Sequence, residues 1–299
     1  MFNCNEKFFK QLKAYLQENG GEELGKDGLE KLAREFIDRY NARLSAETEG
    51  EPKTSDDYLE LAGRTSAKKK RLEYINKALE LEPDNLDACL QFAIHNSKDK
   101  HELLNSLENL IEKGGGQMKK AGYLPKRVGD FWLVWETRPY MRARYCYFNT
   151  LIELGMMRRA IKEGERLLEL CKVDNLGVSF ELMHLYAYLE DEASALALHK
   201  RFDAHEETML LFPLAVLYYK TGKFDKAEDC LRQLRKLNKG TKKFLSAAAK
   251  SQTETLIAST DSYGYAVGTV EEFLEEYDSY QYLFKSVPHF FGWANKIIK

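Results

Sequence analysis

Apolar side chains recur along this chain at intervals of three and four residues, the spacing that gives a helix one apolar stripe. Strict two-residue alternation is almost absent, so strands are not expected. Residues 6–18 make a first amphipathic helix, stopped by Gly20 and Gly21. The next segment, GLEKLAREFIDRYNARL, sets Leu29, Leu32, Phe36 and Tyr40 on one stripe. The polar stretch SAETEGEPKTS (45–55), with Gly50 and Pro52, reads as a linker. The pattern therefore predicts an N-terminal helical segment and linker over 1–50 and a larger helical domain over 51–299.

Helical pairs follow. DDYLELAG and AKKKRLEYINKALELEPDN form one, with Leu72, Ile75, Ala78 and Leu79 on the apolar face of the second helix and Pro83 stopping it. LDACLQFAIHNS and KHELLNSLENLIEKGGG form another, with Gly114–Gly116 expected as its C-terminal cap. Residues 117–136 are irregular and aromatic, ending in GDFWLVWE. Three clearer pairs come next: 139–154 with 156–171, 176–189 with 191–202, and 208–221 with 224–237.

Two of these pairs carry a glycine and, five positions on, an alanine: Gly155 and Ala160, then Gly222 and Ala227. The glycines are 67 residues apart, near twice the ~34-residue period of tetratricopeptide hairpins. The middle pair carries Glu190 and Ala195 at the same places. A glycine there ends the first helix in a left-handed conformation. The alanine sits where two helices cross closely. The fold expected is all-α, a tetratricopeptide-like α-solenoid of stacked hairpins. After Lys243, FLSAAAKSQTETLIAST is read as one more helix and VEEFLEEYDSYQYLFKS as another. HFFGWANKIIK caps the stack at the C-terminal end.

Composition narrows the function classes. Of 299 residues, 31% are charged, yet the formal net charge is only −2, so no basic field covers the whole chain. Cys4, Cys89, Cys146, Cys171 and Cys230 are scattered, with no C-x-x-C. That pattern suggests neither a disulfide framework nor a zinc site, and fits a reducing compartment. The first residues mix charge into their apolar positions, unlike a signal peptide, and no apolar run approaches the ~18 residues of a membrane span. A cytoplasmic protein without cofactor or metal is the expectation.

The partial motifs fail on their own terms. GGEELGK (20–26) begins like a phosphate-binding loop but continues with Asp27, and what precedes it is helix rather than strand. His205–Glu206–Glu207 and His101–Glu102 begin like H-E-x-x-H, with Met209 and Asn105 in place of the second histidine. A catalytic site would have to be assembled across hairpins, from candidates such as Glu136, His184 and His205. Basic residues gather at RQLRKLNKGTKK (Arg232, Arg235, Lys236, Lys239, Lys242, Lys243) and at KKKR (68–71). Both suit solvated helix faces and compensation of helix C-termini. RNA or an acidic partner is the other reading.

If the alanines mark equivalent positions, a concave groove is lined by Arg142, Tyr145 and Asn149, then Phe180, His184 and Tyr188, then Phe212, Val216, Tyr219 and Lys220, with Arg138 near its start. Such a surface suits an extended protein segment held by stacking and hydrogen bonds. The same aromatic stripe also suits a core. Arg138, Arg142 and Arg144 have two readings as well. They stack on Trp132 or Trp135 or cap carbonyls, or they anchor a carboxylate of a bound peptide.

The block FWLVWETRPYMRARYCYFNTLIELGMMRRAI (131–161) carries Phe131, Trp132, Thr137 to Arg144, Gly155, Ala160 and Ile161. It resembles a family of bacterial tetratricopeptide proteins marked by a T-R-P-Y-M-R-A-R segment, more distantly similar to the suppressor of tumorigenicity 7 proteins. KALELEPDNLDA (77–88) and YAVGTVEEF (265–273) look like further landmarks, so the resemblance runs over about 55–299. Where that family has N-P-N-D-N-Q-G, this chain has KVDNLGVSF, keeping Asp174, Asn175 and Gly177. SQTETLIASTDSYGYA lacks the family's proline. The resemblance implies a helical-repeat fold and no activity. The function expected is a non-enzymatic module binding a protein or peptide segment, with no membrane and no nucleic acid as partner.

Overall fold

The computed structural model describes residues 4–20, 25–46, 52–202, 207–260 and 265–298. Among them the ordered elements are helices, and no extended strand is present. The chain forms two compact units, 1–154 and 155–299. The 1–50 segment thus belongs to the first unit.

The first unit contains α1 (Cys4–Glu18), α2 (Lys26–Ala46), α3 (Ser55–Arg64), α4 (Lys68–Leu81), α5 (Leu86–Asn96), α6 (Lys100–Lys120) and α7 (Arg138–Glu153). Each of α3 to α6 packs on the next in order, and α5 also packs on α7. The starts are set by side-chain caps that satisfy orphan N–H groups. Thr54 accepts from the Asp57 N–H while the Asp57 carboxylate accepts from the Thr54 N–H at 2.8 Å, a capping box. Asn85 caps α5, and Asp99 caps α6.

The glycine run at 114–116 does not end a helix. The α6 helix passes through it to Lys120, and the left-handed residue that follows is Gly122, at φ +78°. Its first glycine has a packing role instead: a methyl group at Gly114 would come within 2.7 Å of Cδ2 of Tyr140 on α7. Helices α6 and α7 approach that closely because position 114 has no side chain.

The second unit contains α8 (Met157–Leu170), α9 (Val178–Leu189), α10 (Glu192–Arg201), α11 (Thr208–Lys220), α12 (Phe224–Leu237), α13 (Thr241–Ala249), α14 (Thr253–Ala258), α15 (Val270–Ser279), α16 (Gln281–Phe284) and α17 (Phe290–Ile297). Gly155, Glu190 and Gly222 all take left-handed backbone, at φ +72°, +62° and +74°. The last two turns close alike: the N–H of Asp191 donates to the Tyr186 carbonyl, and that of Lys223 to the Tyr218 carbonyl. Glu190 therefore adopts the glycine geometry despite its side chain. Ala160, Ala195 and Ala227 are fully buried, as close helix crossings require.

Three polar contacts span the same length of chain. The Gln117 amide donates to the Asp84 carbonyl, Arg201 to the Leu168 carbonyl and Lys220 to the Ala187 carbonyl, each over a separation of 33 residues. In each case a side chain from one helix caps the C-terminal end of, or the turn after, a helix about one period earlier.

The C-terminal segments subdivide more than their pattern predicts. The first breaks into α13 and α14 at Ser251, φ +56°, and the second into α15 and α16 at Tyr280. Their apolar faces close the core of the second unit around Phe212, which meets Phe244, Phe273, Phe284 and Phe290 at ring-centroid distances of 5.1 to 6.0 Å. Phe291, Ala294 and Ile298 are buried as well.

Candidate functional site

Two clusters hold the residues singled out from sequence, one in each unit. In the first, Thr137 ends a short 3-10 turn (Trp135–Thr137), and Pro139 lies in the first turn of α7, where its missing N–H costs nothing. The Thr137 hydroxyl, fully buried, donates to the Phe131 carbonyl and, at 2.8 Å, to that of Val134. This knot sets the direction in which α7 leaves.

The three arginines of the block then find partners inside the unit. Nε of Arg138 donates to the Trp132 carbonyl at 2.8 Å, and its guanidinium lies 5.5 Å from the centre of the Trp132 ring. Arg144 donates to the Tyr140 hydroxyl at 2.8 Å. Arg142 reaches α5: its Nε and Nη2 donate to the two oxygens of Asp87 at 2.8 and 2.5 Å. The Asp87 side chain is 7% exposed and that of Arg142 17%, so this two-point pair is desolvated and strong for its kind. The carboxylate that Arg142 holds is thus one of the chain's own. Nothing local in the sequence marks Asp87, which lies 55 residues away.

Tyr145 and Asn149 follow Arg142 at three and seven positions, so they share its face of α7, and both are half-buried. On α5, Gln91 and Ile94 follow Asp87 at four and seven positions; Ile94 is 38% exposed. Helical spacing thus sets Gln91 and Ile94 on the Asp87 side of α5, and Tyr145 and Asn149 on the Arg142 side of α7. Elsewhere in this unit α4, α5 and α6 line a shallow hollow of about 270 Å³.

The second cluster is buried. His184 on α9 has no exposure; its Nδ1 lies 2.7 Å from the Phe180 carbonyl and its Nε2 lies 2.9 Å from Oε1 of Glu276 on α15. The carbonyl can only accept, so Nδ1 carries the proton. Burial lowers His184 to about 3, and burial together with the nearby Glu272 pushes Glu276 well above the usual carboxylate range. Both groups are therefore neutral, with the Glu276 carboxylic acid donating to Nε2. The Tyr280 ring stacks on His184 at 3.6 Å, and Phe284 meets it edge-on. Glu272 accepts from Asn238 and from the Gly268 N–H, both at 2.9 Å. A fully enclosed neutral pair holds helices together; no substrate reaches it.

The remaining expected groove residues of this unit are engaged by its own helices. Phe212 and Val216 are fully buried. Tyr188 meets Tyr282 edge-on at 5.3 Å, and Tyr219 meets Phe290 and Trp293 at 5.2 Å. Lys220 donates to the carbonyls of Ala187 and Tyr188. Phe180 is half-buried and flanks Gly177. Here the aromatic stripe packs against α15–α17. Glu276, Tyr280 and Phe284, which meet it, sit in segments whose sequence shows amphipathicity but not which helix they cover.

The other candidates form no further cluster among the described residues. Glu136 pairs with Lys13 at 2.8 Å, and His205 lies outside the described residues. Among the described residues no group of three His, Cys, Asp or Glu side chains is placed to hold a metal ion. Burial pushes the thiols of Cys89 and Cys146 up, and that of Cys230 to about 12, the opposite of an activated nucleophile. In the basic stretch Arg232 pairs with Glu228 one turn earlier, and Arg235 donates to the Ile298 carbonyl at 3.1 Å. In the other, Arg71 donates to the carbonyls of Ala62 and Thr65, capping α3. No described helix is long and apolar enough to cross a membrane.

No family model matches this chain, and no curated protein does.

Proposed function

We propose that this protein is a non-enzymatic scaffold of tetratricopeptide-like hairpins that holds a segment of another protein. The observation that carries the reading is the recurrence of one structural unit: left-handed turns at 155, 190 and 222, a buried alanine five residues on, and helix-end caps that each bridge 33 residues of chain. Chains built this way stack helices side by side and use the resulting face for binding. The T-R-P-Y-M-R-A-R resemblance points the same way.

The face proposed for the partner is that of α5 and α7. There the Arg142–Asp87 pair fixes two helices rigidly, and Gln91, Ile94, Tyr145 and Asn149 offer an aromatic ring, an apolar contact and two amides around it. An extended segment would stack on the ring and bond the amides. Arg142 acts as a brace for that face, since its guanidinium is spent on Asp87. The stripe His184–Phe212–Tyr219 supports the second unit as core. The test is affinity capture from the native host with mass spectrometry. Tyr145→Ala with Asn149→Ala should lose the captured protein while Tyr188→Ala keeps it; capture unchanged by the first pair overturns the reading.

A further inference from the structure

The α1–α2 hairpin is assembled from within. Phe8 of α1 meets Phe36 and Tyr40 of α2 at 5.5 and 5.0 Å, Tyr15 meets Phe36 at 5.4 Å, and Phe36 is 8% exposed. These rings give the two helices a small core of their own.

Its attachment to the rest of the first unit has a different chemistry. Lys7, Lys10 and Lys13 follow one another at three-residue steps, which sets them along one side of α1. Lys7 pairs with Asp57 at 2.7 Å and Glu60 at 3.2 Å, and Lys10 with Asp56 at 2.8 Å, all on α3. Lys13 pairs with Glu136 at 2.8 Å and lies 5.5 Å from the centre of the Trp135 ring. The side chains remain open to water, from 28% for Lys7 to 52% for Lys13. Exposed pairs of this kind are individually weak and are screened by salt, as the screening length falls from about 10 Å at 0.1 M to about 3 Å at 1 M. Packing within the hairpin is not weakened by screening, since burial of apolar surface is not a charge interaction.

We propose that the α1–α2 hairpin is a detachable arm: a preassembled helical pair held on α3 and the Trp135–Glu136 turn by a lysine ladder, and released as one body when those ion pairs are screened or outcompeted. Release frees a basic helix face, Lys7, Lys10 and Lys13, and bares the carboxylates of Asp56, Asp57, Glu60 and Glu136. Asp57 is the anchor that also serves the fold, because its carboxylate closes the α3 capping box. The device is independent of the α5–α7 face proposed above.

The experiment uses the full chain with fluorophores placed by unnatural amino-acid chemistry at Glu30 on α2 and Lys69 on α4, which leaves the native cysteines untouched. At 50 mM salt one short distance is expected. At 1 M sodium chloride a longer-distance population should exceed half, with helical circular dichroism unchanged. Lys10→Glu with Lys13→Glu should produce that population at 50 mM salt, and adding Asp56→Lys with Glu136→Lys should restore the short distance. Asp57 is left intact so that α3 keeps its cap. A distance that ignores both salt and charge reversal overturns the proposal. So does a loss of helical signal in step with the distance change, because the hairpin would then be melting rather than detaching.

Discussion

The Lys220 ammonium donates to the carbonyls of Ala187 and Tyr188 at 3.1 and 2.5 Å, sealing the end of α9 from one period downstream. The turn that it seals is the one where Glu190 stands in for glycine. Two opposite effects follow. Lys220→Met leaves those carbonyls short of a partner and should cost about 1–2 kcal/mol. Glu190→Gly relieves left-handed strain of about 1 kcal/mol but gives up the partly exposed ion pair of Glu190 with Lys220 at 3.5 Å, a smaller loss, so a net stabilisation below about 1 kcal/mol is expected. Chemical denaturation of the two variants beside the parent chain checks both signs.

The buried His184–Glu276 pair sets a pH dependence. His184 is held below its unfolded value, so its contribution is present above about pH 6.5 and is lost as pH falls toward 3. Glu276 is held above its unfolded value, so its contribution is present below about pH 4.5 and is lost as pH rises toward its folded value. The two trends oppose each other between, giving a broad optimum in mildly acidic solution. Glu276→Gln keeps a donor toward Nε2 but cannot ionise. It should match the parent near pH 5 and become relatively more stable toward pH 9, as read by thermal unfolding across pH. An identical pH profile for the two proteins would mean that Glu276 is already ionised.

Glycines in one helix should respond with opposite signs. At Gly116 an added methyl meets open space, so Gly116→Ala should stabilise by about 1 kcal/mol through helix propensity. Gly114→Ala drives a methyl into the Tyr140 ring and should cost about 1–3 kcal/mol. Denaturant midpoints of the two variants make the comparison directly.

Breaking the Arg142–Asp87 pair from one side strands a desolvated charge. Arg142→Ala should destabilise by about 3–5 kcal/mol, and Asp87→Ala with Arg142→Ala together should recover part of that loss. Arg142→Lys should rescue little, because a lysine offers one point of contact where the guanidinium offers two.

What the sequence made legible follows from what local chemistry encodes. Helix spans, turn glycines and the crossing alanines are written in spacing, and the hairpins from 138 to 237 lie within two residues of where periodicity sets them. Two things were not local. The glycine run at 114–116 looks like a stop signal, but the helix continues through it, and at Gly114 the missing side chain makes room for Tyr140 of another helix. The aromatic stripe through His184 and Phe212 has the same spacing whether it faces a groove or a core. Only the folding of residues 270–298 back onto it decides between them, and amphipathicity alone does not name the surface that an end helix covers. Asp87 and Glu276, the partners of Arg142 and His184, lie 55 and 92 residues away and carry no motif.

The α5–α7 face is proposed to receive a protein segment. The most direct measurement is site-specific photocrosslinking in the native host, with a photoreactive amino acid at Tyr145, Asn149 or Ile94 and, as control, at the exposed Glu169 of α8. One and the same protein should be crosslinked from all three face positions and be absent from the control. Adducts that are missing from the face, or shared equally with Glu169, would contradict that proposal.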